Sequence, residues 1–139
     1  MKTNKFPPCG MNCFICIGYL RSVNPCPGCT GGDTNKPKHC KLCRITRCSF
    51  LARGTRRYCF ECEKFPCRRI KQLDQRYRTK YGMSMIENLL TIKDKGIRAF
   101  AKQEEIRWAC PACGKTLCVH RDECLYCGAK RTRKKYQAK

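Results

Sequence analysis

The 139-residue sequence predicts a small metal-stabilised α+β fold: a Cys-rich irregular zinc-binding N-terminal module, short helices in the middle and a C-terminal zinc ribbon. Three observations predict it. Sixteen cysteines are present and most fall in six C-x-x-C pairs, a spacing that lets two thiolates on one tight turn converge on one ion. Residues 68–109 contain no cysteine and carry apolar residues at helical spacing. Outside the cysteines the apolar inventory is thin, and small domains short of apolar surface are held by staples, of which structural zinc is one. The expected organisation is a metal-binding module over 1–67, a helical segment packing on it over 68–109, a zinc ribbon over 110–129 and a basic tail over 130–139.

Cysteine this dense reads as disulfide or as metal, and the compartment decides between them. Residues 1–9 show no apolar run and no small-residue cleavage site, so a secretory leader is not expected. No stretch approaches the roughly 18 apolar residues of a membrane span. The expected location is the cytoplasm, where thiols stay reduced and C-x-x-C means metal.

Within 1–67, Gly and Pro are frequent and periodicity is weak, which predicts loops and turns around metal. Eleven cysteines (Cys9, Cys13, Cys16, Cys26, Cys29, Cys40, Cys43, Cys48, Cys59, Cys62, Cys67) and His39 make twelve potential ligands, enough for two or three zinc sites. One simple partition joins Cys13/Cys16 to Cys26/Cys29 and Cys43 and Cys48 to Cys59/Cys62. Cys9, Cys40, Cys67 and His39 are left for a third set, and other pairings fit the chain order equally well. The crowded Cys9-x3-Cys13-x2-Cys16 spacing also suits an iron–sulfur cluster, the alternative to zinc here. Phe14, Ile15, Ile17, Tyr19 and Leu20 are expected to form a small apolar cluster on a short helix, and Ile45, Phe50 and Leu51 another.

Residues 67–80 place Ile70, Leu73 and Tyr77 on one helix face, with Pro66 suited to the first turn and Gly82 to the end. Ser84-Met85-Ile86-Glu87 has the form of a capping box, and Ile86, Leu89, Leu90 and Lys93 follow with helical spacing. Gly96 separates a third helix, about Ile97 to Arg107, whose stripe is Ile97, Phe100, Ala101 and Glu104.

Cys110-Pro-Ala-Cys113-Gly114 and Cys124-Leu-Tyr-Cys127-Gly128 are two zinc knuckles, each expected to cap a β-hairpin with one ion between them. The glycine lets backbone amides turn toward the sulfurs and hold them as thiolates. Four ligands close the site, so it is structural. Cys118 and His120, between the knuckles, are expected to pack. Structural zinc binds with roughly 10–16 kcal/mol, more than the usual stability of a small domain, so the metal-free chain is expected to be largely unfolded.

The formal net charge is +21, spread as +9, +6 and +6 over the three zones bounded at 67 and 109. Thiolate-bound zinc would reduce it to about +14, still more than the roughly 2–8 that solubility needs. A polyanionic partner is expected, and RNA, on the ribosome or another ribonucleoprotein, is the reading adopted. Arg53, Arg56 and Arg57 beside Tyr58, then Arg68 and Arg69, form the densest patch. Lys130, Arg131, Arg133, Lys134 and Lys135 form the tail, where Tyr136 could stack on a base. The alternatives are an adaptor that presents a basic face to an acidic protein and an iron–sulfur enzyme component. Two histidines, few carboxylates and no phosphate-cradling glycine loop argue against an enzyme, and no small-molecule substrate is evident.

The opening Cys9-Gly10-Met11-Asn12-Cys13-Phe14-Ile15-Cys16, the Cys26-Pro27-Gly28-Cys29 turn, Cys43, Cys48 and the closing Cys59-Phe60-Glu61-Cys62-Glu63-Lys64-Phe65-Pro66-Cys67 resemble one family. It is the cysteine-rich prokaryotic family known as domain of unknown function 3795. The resemblance covers roughly residues 9–107, and the ribbon after Trp108 resembles members with a C-terminal zinc ribbon. It implies zinc binding and no particular activity. Cys40 and the strong basic charge depart from the family pattern.

Overall fold

The computed structural model describes residues 3–29, 35–37, 40, 43, 45, 48 and 58–133. Single 3-10 turns sit at Thr3–Lys5, Cys13–Ile15 and Cys59–Glu61. Four helices are named here in chain order: α1 (Ile17–Leu20), α2 (Arg68–Lys80), α3 (Met85–Lys95) and α4 (Ile97–Arg107). His39, Phe50, Leu51, Arg53, Arg56, Arg57, Lys134, Lys135 and Tyr136 lie outside the described residues.

The three long helices form as their sequences direct. Ile70 is fully buried on α2 and Tyr77 half-buried on the same face. Cys67 is the N-cap, and Gly82, at φ +69°, follows the last turn. Ser84 caps α3 by accepting the Glu87 amide at 3.0 Å. Phe100, Ala101 and Glu104 are the buried stripe of α4. Gly96, at φ +87°, turns the chain from α3 into α4 in a backbone region where a side chain would be strained.

A carboxylate fastens α2 to the start of α3. Asp74, 3% exposed, accepts from Ser84 Oγ at 2.5 Å and from the Ile86 amide at 3.0 Å through Oδ1. Its Oδ2 accepts from Arg78 Nε at 2.6 Å. The Ile86 amide belongs to the first turn of α3, where helical amides lack partners and the helix dipole favours negative charge.

One core runs through the whole described body. Phe6, Met11 and Ile15 from the N-terminal segment meet Ile70, Met85, Leu89, Ile92 and Phe100 from the helices, Met83 from the link between α2 and α3, and Trp108, Leu117 and Val119 from the C-terminal part. Gly10 lets the N-terminal segment approach α3: a Cβ there would lie 2.7 Å from the Met85 carbonyl oxygen and 2.9 Å from Leu89 Cγ. Asn88 Nδ2 donates to the Gly10 carbonyl at 2.9 Å. The expected local cluster around Phe14 is therefore joined to the common core through Ile15, which is fully buried.

The hairpins expected under the knuckles are reduced among the described residues to two isolated antiparallel bridges, Ala109 to Thr116 and Glu123 to Lys130. Each bridge is closed by two backbone bonds: Cys110 N to the Lys115 carbonyl at 2.8 Å and Leu117 N to the Trp108 carbonyl at 2.7 Å in the first, Cys124 N to the Ala129 carbonyl at 2.8 Å and Arg131 N to the Asp122 carbonyl at 2.7 Å in the second. The segment between the knuckles also reaches the rest of the body. Val119 N donates to the Ile15 carbonyl at 2.8 Å, which ties the C-terminal part to the N-terminal segment.

Candidate metal centre and basic face

Cys110, Cys113, Cys124 and Cys127 place their sulfurs within 4.8 Å of one another. Cys110 and Cys127 are 3.6 Å apart, as are Cys113 and Cys124. Four sulfurs at about 2.3 Å from one tetrahedral ion stand about 3.8 Å apart, so the set fits a metal ion such as zinc. Gly114 and Gly128, both at φ +77°, close the two turns, with amides bonded to the Cys110 and Cys124 carbonyls at 2.8 and 3.0 Å.

The amides expected to face the sulfurs do so. The Cys113 amide, with that of Ala112, lowers the Cys110 thiol below its ordinary pKa, and the Cys127 and Tyr126 amides bring Cys124 down to about 6. Cys127 goes the other way, to about 12: the Ala129 amide favours its thiolate, but burial and the three neighbouring thiols outweigh it. Four crowded sulfurs cannot all ionise unless a cation sits among them, which is the electrostatic reason the set suits a metal.

The N-terminal cysteines gather in two neighbourhoods. Cys13, Cys16, Cys26, Cys29 and Cys40 line one cavity of about 690 Å³. Cys29 donates its amide to Cys13 Sγ at 3.2 Å. Burial raises Cys16 to about 11, and the charges of Cys29 and Cys40 add to this. The second neighbourhood surrounds Cys59, raised to about 12 by burial and then by Cys67, Cys48, Cys62 and Cys43. Cys9 is also raised, by burial first and then by Cys29, Cys59 and Cys43, which puts it between the two. Among sets made only of described residues, the ribbon cysteines form the one group of ligand atoms packed within 4.8 Å.

Cys118 is fully buried and outside the four-sulfur set. His120 is committed on both ring nitrogens, to the Ile17 amide at 3.2 Å through Nδ1 and to Tyr77 Oη at 2.9 Å through Nε2. Burial, with Arg121 and Arg131 nearby, lowers it to about 4, so it stays neutral and packs edge-on against Tyr77 and Tyr81.

The basic residues divide by what already holds them. Arg131 donates to three carbonyls, Arg121 at 3.1 Å, Tyr81 at 3.1 Å and Val119 at 2.9 Å, and lies 5.2 Å over the Trp108 ring. Arg133 donates to the Lys80 carbonyl and to Asp122. Both arginines thus bind the C-terminal part to the body. Arg68, Arg69 and Lys130 are exposed.

Among the described residues an exposed basic face on α2 extends beyond the Arg68 and Arg69 that the sequence pattern singled out. On α2, Arg68, Arg69, Lys71, Arg76 and Lys80 are all exposed, and the helix's single acidic residue, Asp74, is turned inward. The available signal was the pairing of Asp74 with Arg78 at i, i+4, which withdraws the only negative charge from the surface.

No family model, curated protein or solved structure matches this chain.

Proposed function

We propose that this chain is a non-catalytic metal-built protein that binds RNA through the exposed face of α2. The observation that supports it is that face: five basic side chains along one rigid helix, no exposed carboxylate on it, and a helix fastened through Asp74 and the core. Guanidinium and ammonium groups in such a row neutralise phosphates without reading sequence. The ribbon cysteines would hold one zinc, and the cysteine neighbourhoods at the N-terminus would hold two or three more, or an iron–sulfur cluster. The resemblance carried by the C-G-x-x-C-x-x-C opening and the C-x-x-C-x-x-F-P-C close implies zinc there. The proposed setting is cytoplasmic, on the ribosome or another ribonucleoprotein.

The test is binding of labelled single-stranded and duplex RNA to the metal-loaded chain across a salt series. Affinity should fall steeply with salt, and Lys71→Ala with Arg76→Ala should reduce the logarithmic slope by roughly 1–2. A flat salt dependence, or an unchanged slope in the double variant, would sink the proposal. Retention of an acidic protein after nuclease treatment, without RNA affinity, would replace it with the adaptor reading.

A further inference from the structure

The cavity walled on one side by cysteines has a second wall with a different chemistry. Tyr77, Tyr81 and His120 line it, and Arg21, Arg76 and Arg121 border it. No carboxylate is among its described lining residues. Its volume, about 690 Å³, falls in the range of roughly 300–1,000 Å³ of small-molecule sites. A tetrahedral ion with bonds of about 2.3 Å fills only the space between its own sulfurs.

The hydrogen bonds of the aromatic wall determine what it offers. The Ile17 amide donates to His120 Nδ1, so that nitrogen carries no proton. The ring proton is therefore on Nε2 and is donated to Tyr77 Oη. Tyr77 accepts this bond, and its own hydroxyl proton is left to donate to whatever occupies the cavity. A tyrosine hydroxyl is protonated at neutral pH, and burial moves its pKa further up, so the proton stays in place. Tyr77 and Tyr81, with ring centroids 4.9 Å apart and planes inclined at 57°, provide flat apolar surface beside this donor. Arg76 is exposed and lies on the same line of α2 as Arg69 and Lys80, so the basic face of the helix continues into the cavity mouth.

We propose that this cavity binds a nucleoside phosphate, its base against Tyr77 and Tyr81, an acceptor atom on the Tyr77 hydroxyl and its phosphate on the arginine border. The choice of ligand rests on the RNA reading above. Planar π-surfaces with arginine beside them suit a splayed base, and arginines without carboxylates suit its phosphate. A free nucleotide and one nucleotide of an RNA strand share this chemistry.

The two sources separate experimentally. A nucleoside monophosphate and inorganic phosphate would each be titrated into the metal-loaded full chain, followed by NMR shifts of the tyrosine and His120 rings, beside a labelled eight-nucleotide RNA. Expected is saturable monophosphate binding that shifts the Tyr77, Tyr81 and His120 signals, with inorganic phosphate much weaker. Tyr77→Phe should weaken the monophosphate about tenfold, the loss of one hydrogen bond to a polar or charged group. Arg76→Ala is exposed and should weaken it several-fold with no change in unfolding temperature, so it decides the matter if Tyr77→Phe disturbs folding. Arg98→Ala on α4 should do nothing.

RNA binding that ignores Tyr77→Phe, with no monophosphate binding, would overturn the pocket and leave the α2 track standing. Monophosphate binding lost in Tyr77→Phe, without RNA affinity, would support the pocket for a free nucleotide and remove the RNA reading. Equal affinity for inorganic phosphate and monophosphate would overturn the base-stacking role.

Discussion

Replacing Asp74 by alanine probes the joint that aims the basic helix. In the folded chain its carboxylate satisfies Ser84 Oγ, the Ile86 amide and Arg78 Nε, at 2.5, 3.0 and 2.6 Å. Alanine leaves a buried hydroxyl and a first-turn amide without this acceptor and deprives Arg78 of its carboxylate. A lost partner costs about 1–3 kcal/mol for each group kept from water, and more where charge is involved. Ser84 is buried and Ile86 half-buried, so the sum is about 3–5 kcal/mol. At a few degrees per kcal/mol for a chain of this size, the unfolding temperature should drop on the order of 10–20 °C. The assay is thermal and urea unfolding of metal-saturated protein, with metal content matched between variants because bound metal adds to stability. Asp74→Asn keeps the Oδ1 acceptor and loses the charge, and should recover about half of the cost. A loss below about 1 kcal/mol in Asp74→Ala would refute the reasoning, since it would mean that these groups find water or other partners. Asp74→Asn removes a negative charge from α2 and touches none of its exposed basic side chains, so RNA affinity measured at low temperature should not fall.

Three further outcomes are expected. Gly10→Ala puts a Cβ 2.7 Å from the Met85 carbonyl at a φ of +86°, which should cost about 2–4 kcal/mol in urea unfolding; a neutral substitution would show that α3 can retreat. His120 has a folded pKa of about 4 against an ordinary 6.5, so the unfolded chain binds the proton first as pH falls. Its contribution, reduced by partial exposure to about 1–2 kcal/mol, is fully present above about pH 6.5 and lost toward pH 4; stability profiles of the wild type and His120→Asn should converge over that window, and parallel profiles would refute it. Cys124→Ser should remove one metal ion per chain by elemental analysis and release the segment 110–133, seen as loss of Trp108 burial in its fluorescence; unchanged metal content would place the ion elsewhere.

Much of the helical body was legible because its signals are local. The Ile70-Leu73-Tyr77 spacing, the Ser84 cap and the Phe100-Ala101-Glu104 stripe each lie within a few turns of chain, and the structure returns all three. The expected hairpins are returned among the described residues only in minimal form, one antiparallel bridge around each knuckle. The roles of the basic residues were the least legible. Arg131 and Arg133 look like tail charges in sequence, yet their donors end on carbonyls of Tyr81, Val119 and Lys80, up to 53 positions away. A solvated arginine and one that seals a joint have the same local sequence.

The sequence by itself determined the four-sulfur knuckle set, because C-x-x-C-G turns are built by their own five residues and need only to meet once. It also determined where the long helices run and that the chain is strongly basic. Only the tertiary structure decided which charges face solvent. Asp74 turns inward because the start of α3 needs an acceptor, and its withdrawal leaves α2 with an exposed face that carries basic and neutral side chains and no carboxylate. Only the tertiary structure brought Tyr77, Tyr81 and His120 to one wall of the cysteine cavity, because that wall depends on a bond between Ile17 and His120 across 103 positions.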